Sequence, residues 1–424
     1  MKTEKLANGL TVVLENLPYS PSASVGVWVR AGAVDEAERA GISHLIEHMM
    51  FKGTKNRTYR QISEDLEKLG TSVNAFTTKE ATCFYVKSLT SNLVKSVEVI
   101  ADMVTGSVFD EAELEKEKNV IYEEMKMIED VPDDFGSDLI QEAVFSGTPL
   151  ASRIIGSPKS VGAISRDDIL GYTKERYSAP GMVIACSGMF DEAELMAALE
   201  EGFGCIGEEA ALPREYTAGA PARIRDSVIK DIEQSHLFLG TKGVKFTDKD
   251  VYALNLYSAL LGGGMSSRLF MTVREELGLA YSVYAADSPY VNDGQFTIYA
   301  GTSDEKVDEA VAAIKGVLKK LAEDGLAKDE LAKVKEQYKA SFIFRRESNS
   351  SRMFAAGRNM LLLGRIYTEE EIIAGVDAVT ADDIARLAAK YADFTDYSAI
   401  AISSVEHDLE AMLADRQTTP PAGA

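Results

Sequence analysis

No run of apolar residues in the chain approaches the length of a membrane span, which excludes a helical transmembrane segment. Basic residues are in deficit, with 45 lysines and arginines against 67 aspartates and glutamates and a formal charge of −22. Such a surface argues against nucleic-acid binding through broad phosphate contacts, and it would suit attraction of basic peptides. Cysteine is scarce too. Cys83, Cys186 and Cys205 form no metal-spaced pair and read as reduced, structural thiols. No Arg-rich presequence or secretory apolar core is visible: Met1 to Leu6 leads straight to the hairpin signal Asn8-Gly9 and the strand Leu10–Glu15. These features predict a bacterial cytoplasmic protein.

Histidine is also rare, and its placement is informative. Of the four, His44, His48, His236 and His407, two lie in the stretch Gly41-Ile-Ser-His-Leu-Ile-Glu-His-Met-Met-Phe-Lys-Gly53. Read as a helix, that stretch sets His44, Glu47 and His48 on one face at i, i+3 and i+4. Leu45, Ile46, Met49 and Met50 are core residues, so the helix is apolar nearly all round and should be buried. A single histidine on an apolar face is ordinarily a hydrogen-bonded core residue. Two imidazoles and a carboxylate carried inward together are harder to accommodate, since burying them unpaired costs several kcal/mol. A Zn2+ ion removes the difficulty, because imidazoles at i and i+4 can bind one tetrahedral ion with the carboxylate beside it as a base. His-x-x-Glu-His is the inverted zinc-peptidase signature.

A catalytic site of this kind needs a third protein ligand. Glu111–Asp130 contains no Gly or Pro and is predicted to be one long helix with the apolar stripe Leu114, Ile121, Met125, Ile128. Glu117 and Glu124 fall on that stripe two turns apart, as a ligand and a residue that orients a ligand would. Glu113, Glu115 and Glu123 belong to the solvated face.

His44-x-x-Glu-His48, followed after 75 residues by Glu124, resembles the pitrilysin/insulinase family of zinc metallopeptidases. Glu47 to Thr54, Val73 to Thr78 and Glu115 to Met125 are most similar to the branch of the mitochondrial processing peptidase beta subunit and its bacterial relatives. The resemblance extends to about residue 404. It implies zinc held by His44, His48 and Glu124, Glu47 as the general base, and Glu117 as a residue supporting a ligand or Glu47. The strand Ser72 to Thr78, with Asn74, Ala75 and Phe76, corresponds to an edge strand on which substrate is laid by strand addition.

The length of 424 residues suggests two domains, and the sequence repeats itself accordingly. Val161-Gly-Ala-Ile-Ser-Arg-Asp-Asp-Ile169 is echoed by Val376-Asp-Ala-Val-Thr-Ala-Asp-Asp-Ile384, and Asp110 to Lys116 by Lys328 to Lys333. The Ala-, Gly- and Pro-rich stretch from Gly207 to Pro221 is the expected boundary between domains at 1–210 and 222–424. Strands, then helices, then a closing strand in each half predict an α+β protein. The resemblance implies two homologous α/β-sandwich domains of the LuxS/mitochondrial processing peptidase-like metallohydrolase fold, each sheet with helices packed on one face. The run Ala23 to Arg30 reads as a half-buried strand.

Aligning the halves places Asn255, Ser258 and Ala259 where His44, Glu47 and His48 stand, and Val334 and Ser341 where Glu117 and Glu124 stand. The second half should therefore bind no metal. Its Leu261-Gly-Gly-Gly-Met-Ser-Ser-Arg-Leu269 lacks the lysine and preceding strand of a phosphate loop. Arg274 and Tyr281 follow it, and the resemblance gives them the role of holding substrate; without it they read as a helix-surface arginine and a core tyrosine. The expected function is a zinc-dependent endopeptidase acting on peptides or unfolded protein segments, and the resemblance implies pairing into a homodimer that encloses a chamber. The competing readings are an inactive scaffold or peptide-binding subunit of the same fold, and a structural zinc protein, which would need a fourth ligand that the sequence does not offer.

Overall fold

The computed structural model describes residues 1–209, 214 and 216–414. Of the expected linker, residues 210–213 and 215 lie outside the described residues. The chain forms two compact units, and they are discontinuous in sequence. The first comprises Met1–Met127, Ser152–Tyr216 and Ser341–Thr368; the second comprises Ile128–Ala151, Thr217–Ala340 and Glu369–Ala424.

The first unit is built on β1 (Lys2–Lys5), β2 (Thr11–Asn16), β3 (Ser22–Val29), β4 (Ser72–Thr77), β5 (Thr82–Leu89) and β6 (Met182–Gly188), in the order β1-β2-β6-β3-β5-β4. Only β2 and β6 run parallel. The second is built on β7 (Arg225–Ile229), β8 (Ser235–Lys242), β9 (Ala280–Pro289), β10 (Gly294–Thr302) and β11 (Ser398–Ser403), in the order β7-β11-β8-β10-β9. Here only β7 and β11 are parallel. Setting β1 aside, the two orders match strand for strand, so the repeat in sequence is a repeat in topology. The echoed Ser165 and Thr380 each cap a helix, exchanging hydrogen bonds with Asp168 and Asp383 three residues on.

The strand β3 is more enclosed than its alternation suggests. Ala23 to Val29 are all buried, on both faces. The helix Asn349–Leu363, which comes from the second half of the sequence, covers the face bearing Ser24, Gly26 and Trp28. Ser24 Oγ lies 2.9 Å from Ser350 Oγ, and Gly26 leaves room for the Met353 thioether. Gly357 does the same for Trp28, whose indole occupies the space a side chain would need. The second sheet is treated alike by a helix from the first half, Pro132–Val144, where Gly136 admits the ring of Phe238. Each sheet therefore has a helix on the face opposite its own half's helices. That exchange is why the units depart from the contiguous 1–210 and 222–424 division. No helix among the described residues is long and apolar enough to cross a membrane.

Candidate active site

The ligand helix is short. It spans Ile42–Met49, and the chain then turns through Met50 to Lys52 before Gly53, at φ 126°, redirects it. No side chain at its N-cap satisfies the first amide groups, because that position is Gly41 in the left-handed region at φ 92°. A carboxylate from outside the helix does so. Glu36 accepts from Gly41 N at 2.6 Å and from Ser43 N at 2.9 Å, one oxygen each. This residue is only 1% exposed. Burial pushes its carboxyl up to about 7, against the opposing pull of the two amide donors. Ser43 Oγ is 2.9 Å from Tyr172 OH, a second tie on the same turn.

From this helix His44 and His48 meet Glu124 of the helix Glu111–Asp130. Glu124 Oε2 lies 3.8 Å from His44 Nε2 and 3.5 Å from His48 Nε2, and the three ligand atoms fall within 4.8 Å of one another. Atoms bound at zinc's usual distances sit about 3.4 Å apart at the corners of a tetrahedron, so the donor set suits such an ion with small adjustment. Burial, with His48 adding to it, holds the His44 imidazole down at about 3. His44 is thus neutral and available as a donor at ordinary pH. Glu117 is buried, as its place on the apolar stripe predicts, and its Oε2 lies 3.2 Å from His48 Nδ1. Its Oε1 is 2.6 Å from Lys52 Nζ.

Glu47 projects beside the trio. Burial raises its carboxyl above the usual range, against a hydrogen bond donated by Thr77 Oγ1 to Oε2 at 2.5 Å. Thr77 ends β4, which is the edge strand of its sheet, so the same strand that carries Asn74, Ala75 and Phe76 also touches Glu47. Asn74 is exposed and Ala75 buried. Phe76 packs edge-on against Trp28 and Phe354 at 5.6 and 5.5 Å.

In the second unit the position aligned with His44 belongs to a hydrogen-bonded network without an imidazole. Asn255 donates to Asp287 and accepts from Tyr338 OH at 3.1 Å. Arg274 lies in a π-helical turn, Phe270–Glu276, with its guanidinium 4.7 Å from the Phe270 ring centre and 5.0 Å from that of Tyr281. Tyr281 is 75% exposed, so the core role open to it on sequence alone is ruled out. The two residues are brought together on the surface by cation–π contact.

Glu36, Lys52 and Thr77 were not marked as site residues by the sequence reading. Thr77 had a signal: alternation puts it on the same face of β4 as Val73 and Ala75. Lys52 and Glu36 had none, because their contacts depend on how the chain turns at either end of an eight-residue helix.

Residues 11–158 match the model for insulinase (peptidase family M16), and residues 163–338 match that for the peptidase M16 inactive domain. An uncharacterized zinc protease of Bacillus subtilis is 39% identical over 403 residues, covering 94% of this chain and 96% of its own. Among solved structures, a peptidase M16 inactive domain protein from Pseudomonas fluorescens aligns with a TM-score of 0.89 at 20% identity, covering 96% of this chain and 98% of its own. A protease from Helicobacter pylori aligns at 0.88 and 23%, covering 95% and 99%. At these identities the structures bear on the fold alone, which is the two-domain fold of M16 peptidases. The sequence matches go further: this chain belongs to the insulinase family of zinc metallopeptidases, peptidase family M16.

Proposed function

We propose that the chain is a zinc-dependent endopeptidase that hydrolyses peptides or extended protein segments in the manner of a processing peptidase. The observation that carries this reading is the convergence of His44, His48 and Glu124 beside a half-buried Glu47. His44, His48 and Glu124 would hold the ion. Zinc, when bound, supplies a Lewis acid that polarises the scissile carbonyl and makes water more acidic. With Thr77 occupying Oε2, Glu47 receives the proton of the attacking water at Oε1 and delivers it to the leaving amine. Its raised affinity for protons suits that work.

The substrate backbone is added to the free edge of β4, alongside Asn74, Ala75 and Phe76, which makes recognition tolerant of sequence. Arg274 and Tyr281 bind substrate through an exposed cation and phenol rather than serving the core. The −22 charge favours basic peptides. The active form is a cytoplasmic homodimer, as one metal site in two repeats implies for the family. Light scattering under assay conditions tests the pairing, and an active monomer contradicts it. The activity itself is tested by incubating the purified chain with a denatured basic protein, with zinc and after chelation. Zinc-dependent internal cleavage is the expected result. Binding of peptide without cleavage in either sample would instead favour a peptide-binding subunit.

A further inference from the structure

We propose that Lys52 is a positioning residue for the metal site: by gripping Glu117 it fixes the His48 imidazole with Nε2 turned toward the ion. The proposal rests on His44, His48 and Glu124 being the zinc ligands. Four groups form a chain in which every contact uses a different atom. Lys52 Nζ is 2.6 Å from Glu117 Oε1, Glu117 Oε2 is 3.2 Å from His48 Nδ1, and His48 Nε2 is 3.5 Å from Glu124 Oε2.

The division of labour follows from what each group can do. A neutral imidazole carries its hydrogen on one nitrogen and accepts or ligates with the other. Glu117 has only acceptors, so the atom facing it must be Nδ1–H, which leaves the Nε2 lone pair for the ion. That outcome requires the carboxylate to keep Oε2 on His48. A carboxylate whose side chain is only 6% exposed has little water to satisfy its other oxygen, and a lone contact to Nδ1 would leave it free to rotate. The Lys52 ammonium supplies the second anchor and the compensating charge. The local chain delivers it there: Phe51 N bonds to His48 O at 3.2 Å and Lys52 N to Met49 O at 3.1 Å, so the turn after the ligand helix folds back over its last residues. No other cation is paired with Glu117 among the described residues.

The test compares Lys52→Met, Lys52→Arg, Glu117→Gln and the Lys52→Met/Glu117→Gln double variant. Zinc affinity is measured by competition with a chromophoric chelator, and the His48 tautomer by imidazole 15N–1H correlation in the zinc-free protein. Lys52→Met is expected to fold, to bind zinc about 10- to 100-fold more weakly, and to lose the single Nδ1–H tautomer of His48. Lys52→Arg should stay close to wild type. Adding Lys52→Met to Glu117→Gln should cost nothing further, because Lys52 acts only through that carboxylate. Unchanged affinity in Lys52→Met overturns the proposal, and so does a full additional loss in the double variant. Failure of Lys52→Met to fold also overturns it, since a residue that only orients Glu117 is dispensable for folding. A wild-type chain that takes up no zinc removes the ligand assignment itself, which distinguishes that failure from one confined to Lys52.

Discussion

Replacing Glu36 with glutamine tests how the ligand helix is held. The wild-type carboxylate is buried and accepts from two amide groups at the helix start. Burial raises it from 4.5 to about 7 in the folded chain, while the unfolded chain keeps the ordinary value. Between these limits the folded protein retains a proton that the unfolded protein has lost. The contribution is therefore complete below about pH 4.5 and disappears as pH rises through about 7. At about 1.4 kcal/mol per unit, the full window amounts to about 3 kcal/mol. Glutamine keeps the shape and does not titrate. It also loses one acceptor, a pH-independent penalty of about 1–2 kcal/mol. Urea unfolding of zinc-free wild type and variant, followed by the emission of Trp28, reports on the unit concerned, because this is the chain's one tryptophan. Other titrating groups are common to both proteins and cancel in the difference. Wild type should lose stability relative to Glu36→Gln as pH is raised from 5 to 7.5. Parallel stability curves, or a difference running the other way, would refute the assignment of a buried, titrating carboxylate.

Thr77→Val removes the hydroxyl that occupies Glu47 Oε2. Zinc content should be unchanged while kcat/KM falls about 10-fold, the loss of roughly one charge-assisted hydrogen bond, as read with a fluorogenic peptide. Arg274→Ala and Tyr281→Phe should fold and bind zinc normally yet lose about 100-fold or more in turnover. Because Tyr281 is so exposed, its phenylalanine variant should leave the melting temperature in place; a shifted melting temperature with intact turnover would return it to a packing role.

Much of the site was readable before the structure because its signals are local. His44, Glu47 and His48 announce themselves by helical spacing in a chain with few histidines, and Glu117 and Glu124 by standing on an apolar stripe. The helix Glu111–Asp130 and the repetition of one arrangement in both halves were legible for the same reason, periodicity and repetition. What periodicity does not encode is which sheet a helix packs against. The helices Asn349–Leu363 and Pro132–Val144 each carry a glycine, at 357 and 136, that costs helix stability and is repaid by an aromatic seated on it. Those glycines were the available sign of a close crossing, but nothing in the sequence named Trp28 and Phe238 as the partners. The enclosure of β3 on both faces was missed with them. Glu36 and Lys52 escaped for a different reason: ionic residues flanking a helix look like ordinary surface until turn geometry aims them inward.

The central claim is that Glu47 is the base beside a metal held by His44, His48 and Glu124. Its most direct test is Glu47→Gln, with zinc content and peptide cleavage measured on the same preparation. The account predicts wild-type zinc and no detectable cleavage, because the ligands are intact and the proton acceptor is gone. A Glu47→Gln protein that retains zinc and cleaves at a near-wild-type rate would contradict it.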